Sequence, residues 1–342
     1  MKGSSVLFDT WNGREAALRI VDGGLDDLLI DPPDDRVRPG TIYRAKAGRP
    51  MKGQGGMILE TPDGPLFLRQ SKGIAQGDSV FVQVSTFAEP GKAAPAALKL
   101  LLKSRFCLLT PGAEGRNLSK AIRDEERRVE LHEIIAGLDL PPDVGLVVRT
   151  AAEQADDDEV RADLDALTEM ARGLLGEPRT GAPEKLLEGP SAQDIALRDW
   201  PTPDVFDAEP GSFFRAGADE MIAALSSPEH RFAEGSIVVE ATRALVAVDV
   251  NTGGNTSAAA GFSANIAALR TLPRALRLRG LGGQIVVDPA PTPKRDRKRL
   301  EEAAKSAFRR DGIETSFVGW SPLGHMEFLR KRERLPLSEA LS

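Results

Sequence analysis

Two stretches of the chain each deliver an acid to the end of an apolar run. LVAVDVNTGG, residues 245–254, closes on Asp249 and Asn251 before breaking into Thr-Gly-Gly. GGQIVVDPAP, residues 282–291, repeats the pattern with Asp288. In open α/β sheets ligands sit beyond the carboxyl ends of the strands, so both carboxylates point to one crevice. Two carboxylates that meet there repel unless a cation neutralises them. Mg2+ does so, since it commonly takes one or two carboxylates and fills its shell with waters and phosphate oxygens. Asn251, two residues beyond Asp249, falls on the same face of a continuing strand and can hydrogen-bond a phosphate oxygen or a metal-bound water. An equally good reading makes both acids helix caps or partners for arginines, and the pattern alone does not choose.

Other residues suit a polyanion. Arg149 and Thr150, in DVGLVVRTAAE, set a guanidinium beside a hydroxyl, which fits a terminal phosphate; a salt bridge to one of the many nearby acids is the alternative. Phe67 and Tyr43 fall in a β-rich stretch where aromatics of OB-type folds stack on bases, although core packing is the commoner fate of a lone aromatic. KRDRKR (294–299) and RALRLRG (274–280) offer Lys294, Arg295, Arg274 and Arg277 to phosphates, or simply form solvated faces. Trp320, Met326 and Phe328 read as core.

Composition narrows the classes. The chain has 342 residues, 41% hydrophobic and 28% charged, as expected of a globular protein with two or three domains. The net charge of −6 is unevenly spread. Residues 150–235 carry 7 Lys and Arg against 20 Asp and Glu, whereas residues 264–342 carry 16 against 9. The acidic stretch reads as a solvated face or linker, and the basic one as a surface for a polyanion or a bland basic face. Cys107 is the single cysteine, and His132, His230 and His325 lack metal spacing, so any metal is expected to be a hard ion held by oxygen. No apolar run is long enough to cross a bilayer, and MKGSSVLFDTWNGRE lacks the apolar core of a signal peptide, so a cytoplasmic location is expected.

The elements that must position these residues follow from periodicity. EAALRIVDGGLDDLLI predicts two strands joined at Asp22-Gly23-Gly24. Between residues 38 and 100 the short runs TIYRAKAG, GGMILET, GPLFLRQ and SVFVQVST alternate with turn signals and predict a small barrel. RFCLLTP is a strand, and SKAIRDEERRVELHEIIAGL a helix with Ser119 as N-cap and Gly137 near its end. The strand in DVGLVVRTAAE and a helix over DDDEVRADLDALTEMARGLLG follow. Residues 176–235 read as a connector with short helices. From 236 on, SIVVE, ALVAVDVN, QIVVD and ETSFVGW alternate with helices at about 260–279 and over KRDRKRLEEAAKSAFRRDG, predicting a largely parallel, buried sheet.

Taken together the pieces resemble the bacterial ribonuclease E/G family over most of the chain. The resemblance rests on ALVAVDVNTGG, ANIAALRTLPRALRLRGLGGQIVVD and SPLGHMEFLRKR, and upstream on RIVDGGLDDLLID, GTIYRAKA, KSRFCLLTP and LDLPPDVGLVVRTAA, all in the family's order. It implies an α/β, multi-subdomain fold. Residues 1–37 would open a split RNase H-like part, 38–100 form an inserted S1-type OB barrel, and 101–180 a 5′-sensor region. Residues 181–235 would be a connector with the rest of the RNase H-like part, and 236–342 a DNase I-like catalytic subdomain. The resemblance also implies that Asp249 and Asp288 bind Mg2+, that Asn251 positions the scissile phosphate, and that Arg149 and Thr150 recognise a 5′-monophosphate. The implied reaction is cleavage of single-stranded RNA by metal-activated water, leaving 5′-phosphate and 3′-hydroxyl ends, in RNA processing or decay.

Several positions depart from the family. DPAPT stands where the family reads DFIDM, with Pro291 at the second acid. Met57 stands where a second barrel aromatic is usual. SKAI, with Lys120 its one basic residue, replaces SRRI. The zinc-linker cysteines are absent, so a zinc-bridged oligomer is not expected, and monomer and dimer both remain open. A Mg2+-dependent endoribonuclease is the leading expectation. A catalytically impaired RNA-binding protein of the same fold is second, and a scaffold using the acidic stretch is third.

Overall fold

The computed structural model describes residues 2–51, 55–89, 91–254 and 257–342. Contacts divide the chain into two units, Met1–Pro33 with Pro203–Ser342, and Asp34–Thr202. The fold is mixed α/β.

The first unit begins as a meander of Ser4–Trp11, Arg14–Val21 and Gly24–Ile30, all antiparallel. Asn12-Gly13 and Asp22-Gly23 make its two turns with positive φ, the conformation that tight hairpins demand. The sequence points to the second hairpin, and Asn12-Gly13 carries the same signal for the first. Val205–Asp207 joins the far edge, parallel to Ser4–Trp11.

The second sheet of this unit has six strands. Their spatial order is Glu229–Phe232, Gly235–Ala241, Val246–Asn251, Gly283–Asp288, Met326–Arg330, Thr315–Trp320. Here the structure corrects the expectation of a largely parallel, buried sheet. Only Val246–Asn251 and Gly283–Asp288 run parallel; every other pairing is antiparallel. The parallel pair is joined by a long helix, Ala258–Leu278, and short turns join three of the antiparallel pairs; the fourth, Gly283–Asp288 with Met326–Arg330, is antiparallel because the helix Arg297–Asp311 leads first to the edge strand Thr315–Trp320, from which the chain turns back. Nor is the sheet covered on both faces. Val248, Val250, Ile285 and Val287 pack on one side against Ala264, Ala268 and Leu272 of that helix and Leu300, Ala304 and Phe308 of the helix Arg297–Asp311. Their alternate neighbours Asp249, Asn251, Gln284 and Asp288 are exposed on the other side. Met326 and Phe328 are core as expected, and Trp320 is half-buried beneath Arg297, 4.5 Å from its ring centre.

A buried charge network ties the helix Ala258–Leu278 to the first sheet and to the C-terminal strand. Arg277 pairs with Asp27 at 3.3 Å and with Asp311. Arg330 pairs with Asp311 at 2.5 Å, with both side chains essentially inaccessible, and Arg334 forks onto Asp27.

In the second unit Ile42–Pro50, Met57–Thr61, Gly64–Leu68, Ala94–Ala97 and Ser79–Val84 form a closed five-stranded barrel, consistent with an OB-type barrel. Its core is Tyr43, Met57, Leu59, Leu66, Leu68 and Val82 with their small neighbours. Cys107–Pro111 and Val144–Val148 pair antiparallel, and the helix Asp157–Gly176 covers them. The helix expected to start at Ser119 begins instead at Glu125. Asp124 is its cap, accepting from the Arg127 amide, and Gly137 closes it. The connector contributes the strand Glu184–Leu187, which pairs with Ile42–Pro50, and the helix Ala192–Asp199. Among the described residues no helix is long and apolar enough to cross a membrane.

Candidate functional site

Asp249 and Asp288 are register partners in the parallel pair. Partners on adjacent strands lie about 4.8 Å apart and point to the same face, so the two carboxylates stand side by side on the open face of the sheet. Asn251 donates its side-chain amide to Asp249 Oδ2 at 2.8 Å. His325 follows the turn at Ser321–Gly324 and places Nε2 3.7 Å from Asp288 Oδ1.

Neither acid serves either of the alternative purposes open to it. The helix after Asp249 is capped by Ser257, whose side chain accepts from the Ala260 amide, and the short turn after Asp288 has Pro293 at its cap. Among the described residues no lysine or arginine lies within ion-pair distance of Asp249 or Asp288. Two exposed carboxylates thus stand side by side with no lysine or arginine to balance them among the described residues. That donor set suits Mg2+, a hard ion satisfied by one or two carboxylates and waters. Among the described residues no three His, Cys, Asp or Glu side chains gather as a metal cluster, so protein ligands alone would not complete a shell.

The altered loop DPAPT is firmly held. Asn265, 1% exposed, accepts from the Ala290 amide at 2.9 Å and donates to Ala290 O at 2.9 Å and Thr292 Oγ1 at 2.7 Å. One turn earlier, a Cβ on Gly261 would sit 2.5 Å from Pro291 O, so the helix approaches the loop where only glycine fits. Asn265, which braces the loop after Asp288, is not among the residues the sequence singles out. Its signal was an amide on the apolar stripe of an otherwise buried helix face.

The remaining candidates divide. Arg149 directly follows the strand Val144–Val148, and Thr150 opens a short 3-10 turn. The Arg149 Nη1 donates to the carbonyls of Ser104 (2.6 Å), Arg105 (3.0 Å) and Arg198 (3.3 Å), and Nη2 to Asp199 at 2.9 Å. Thr150 is exposed, its hydroxyl 2.9 Å from that of Ser119. Asp199 also holds Lys103 at 2.8 Å and Arg198 at 2.8 Å. Burial would raise the Asp199 pKa, but Arg198 and Lys103 outweigh it and hold it at about 2.

Tyr43 has no face to offer a base. It is fully buried in the barrel and donates its hydroxyl to Asp63 at 2.6 Å; burial and that carboxylate push its pKa up. Phe67 lies on the outer side of the barrel, half-buried, opposite Ile58. Met57 is fully buried, so the residue beside Phe67 on the outer face is Ile58, and a stacking partner missing at Met57 is not the relevant departure. Arg277 is committed to its buried ion pairs, and Arg274 donates to Leu25 O. Lys294 and Arg295 are exposed, and their side chains make no hydrogen bond or ion pair among the described residues.

A family model described as the ribonuclease E/G family matches residues 101–209 and 207–333. Ribonuclease G of Salmonella typhimurium (strain SL1344) is 24% identical over 96% of this chain and 80% of its own length. Ribonuclease G of Escherichia coli (strain K12) is 25% identical over the same shares. Ribonuclease E of Haemophilus influenzae (strain ATCC 51907 / DSM 11121 / KW20 / Rd) is 25% identical over 98% of this chain, which spans 42% of that longer protein.

Proposed function

The chain belongs to the ribonuclease E/G family, and from that premise we propose that it is an endoribonuclease of RNA processing that cuts single-stranded RNA with Mg2+ held by Asp249 and Asp288. The observation that carries the reading is the in-register pair of carboxylates on an open sheet face, with no lysine or arginine partner among the described residues. A bound ion would polarise the scissile phosphate and generate the attacking hydroxide, giving 5′-phosphate and 3′-hydroxyl ends. The chain's own groups prepare that chemistry. Asn251 fixes the Asp249 carboxylate through Oδ2 and keeps a second amide N–H for a phosphate oxygen. Asn265 holds the backbone that follows Asp288. Lys294 and Arg295, exposed just beyond that loop, suit the phosphates of the flanking strand. Arg149 and Thr150 are assigned to a 5′-monophosphate, which offers oxygens that an internal diester lacks.

The subdomain plan belongs to the same proposal. Three antiparallel strands with a fourth added parallel to the first support an RNase H-like part in the first unit. The closed barrel supports an S1-type OB insertion, residues 101–180 are assigned as the 5′ sensor, and 236–342 as the DNase I-like part.

The test is incubation of the purified chain with 5′-monophosphorylated, A/U-rich single-stranded RNA, with and without Mg2+. Internal cleavage that needs the ion is expected. Binding without cleavage at any divalent-ion concentration would favour the catalytically impaired RNA-binding protein, whose motivation is the DPAPT loop with Pro291 in place of an acid.

A further inference from the structure

We infer that Asp199 sets the 5′-end specificity of this chain, by occupying from within the anion site that Lys103, Arg149 and Arg198 form. The inference rests on the assignment of Arg149 to a 5′-phosphate. Three cations converge on this one carboxylate. Oδ1 takes Lys103 Nζ at 2.8 Å and Arg149 Nη2 at 2.9 Å, while Oδ2 takes Arg198 through Nη2 at 2.8 Å and Nε at 3.2 Å. The site therefore holds more positive charge than its occupant balances. A terminal phosphate carries close to two negative charges and three strong acceptor oxygens, so it matches three cations better than a carboxylate does.

The arrangement is set for exchange of one anion for another. Arg149 does not depend on Asp199 for its position, because three backbone carbonyls already hold Nη1. Lys103 lies on the short strand Leu102–Lys103, paired to Cys107–Pro111, and Arg198 on the last turn of Ala192–Asp199, so the cations come from separate elements. The Asp199 side chain is a quarter exposed, which leaves the anion open to solvent. A tethered carboxylate competes at an effective concentration that a dilute RNA end does not reach, of order millimolar or more. In the unmutated chain the 5′-phosphate must displace Asp199, and most of its binding advantage is lost in doing so.

The test compares cleavage of matched RNAs carrying a 5′-monophosphate or a 5′-hydroxyl, by the unmutated chain, Asp199→Asn, Arg149→Ala, and the two substitutions combined. The ratio of the two rates is expected to rise about tenfold or more in Asp199→Asn, as one charge-assisted contact becomes free, and to fall to unity in the double variant. Thermal melting in inorganic phosphate guards against a folding defect. Asp199→Asn is expected to melt lower than the unmutated chain and to be raised by phosphate more than the unmutated chain is. If the ratio stays put in Asp199→Asn but falls with Arg149→Ala alone, Arg149 reads the 5′ end and Asp199 is not its competitor. If no variant distinguishes the RNAs, the 5′ assignment fails and the role of Asp199 with it. An Asp199→Asn chain that is unfolded and not restored by phosphate also overturns the inference.

Discussion

The two polar clusters of this chain are electrostatic opposites. On the open face of the six-stranded sheet, Asp249 and Asp288 are neighbours with no lysine or arginine near enough to balance them among the described residues. Around Asp199, Lys103, Arg149 and Arg198 are all engaged, with a carboxylate already in place. The first pair has no such partner among the described residues, and the second is a group of cations that an acid of the chain already occupies. The difference indicates where free energy is held in reserve. Like charges kept side by side gain when an ion arrives, whereas a satisfied cluster gains only the difference between two anions.

The largest effect that could break this contrast is at Asp249. Asp249→Asn keeps shape and the contact to Asn251 but removes one ligand charge, and cleavage is expected to fall by on the order of a thousandfold. The same substitution relieves repulsion, so without divalent ions the variant should melt no lower than the unmutated chain. It should also lose the rise in melting temperature that Mg2+ produces. A variant that cleaves normally, or that melts lower without metal, would show that the pair is structural.

Asp27 supplies the opposite case, a carboxylate that is fully matched. Burial raises its pKa, but Arg334 and Arg277 outweigh burial and hold it below the usual carboxylate range. Because the folded value lies below the unfolded one, its stabilisation is complete above about pH 4 and is lost as pH falls through the folded value. Asp27→Asn leaves buried guanidiniums without their anion and should cost about 3–5 kcal/mol at neutral pH, read by urea unfolding. It should also weaken the acid dependence of stability. Equal stability of variant and parent would mean that the buried pairing contributes nothing net to stability.

A smaller effect separates free from committed cations. Lys294→Ala with Arg295→Ala should lower the salt slope of single-strand RNA binding by about 1.4, roughly 0.7 for each phosphate no longer neutralised. Arg277→Ala should leave that slope alone and destabilise the fold, because its guanidinium is engaged inside. A reduced slope for Arg277→Ala would reverse the assignment.

The metal-site candidates were legible because their cause is local. A strand alternates faces every residue, so an acid among valines at the end of LVAVDVN or QIVVD had to emerge on one exposed side. That Asp249 and Asp288 are in register was not legible, since strand order depends on contacts between distant segments. The sheet's mixed direction is hidden for the same reason: alternating strands and helices do not say that Met326–Arg330 enters antiparallel beside Gly283–Asp288. Tyr43 was ambiguous because inward and outward positions of a barrel strand differ by one residue. Asp199 carried no signal at all. Its partners Lys103 and Arg149 are far away in the chain, and an acid after an arginine at a helix end looks like any solvated turn.

The smallest expected effect is at the 5′ end. In the unmutated chain a 5′-monophosphorylated RNA should be cut faster than its 5′-hydroxyl counterpart, by less than the full value of one charge-assisted hydrogen bond, about 1.5–3 kcal/mol. The reason is the carboxylate already in place: a phosphate gains Arg149 Nη2 only as Asp199 gives it up. Arg149→Lys tests this most cleanly. It keeps the charge, but a lysine ammonium cannot span the carbonyls of Ser104, Arg105 and Arg198 while also presenting a fixed donor outward. The difference between the two RNAs should vanish in Arg149→Lys, measured as the ratio of initial rates in one competition mixture. A ratio of unity in the unmutated chain would reduce Arg149 to an ion-pair partner, and the contrast between the two clusters would then be one between a functional site and a structural one.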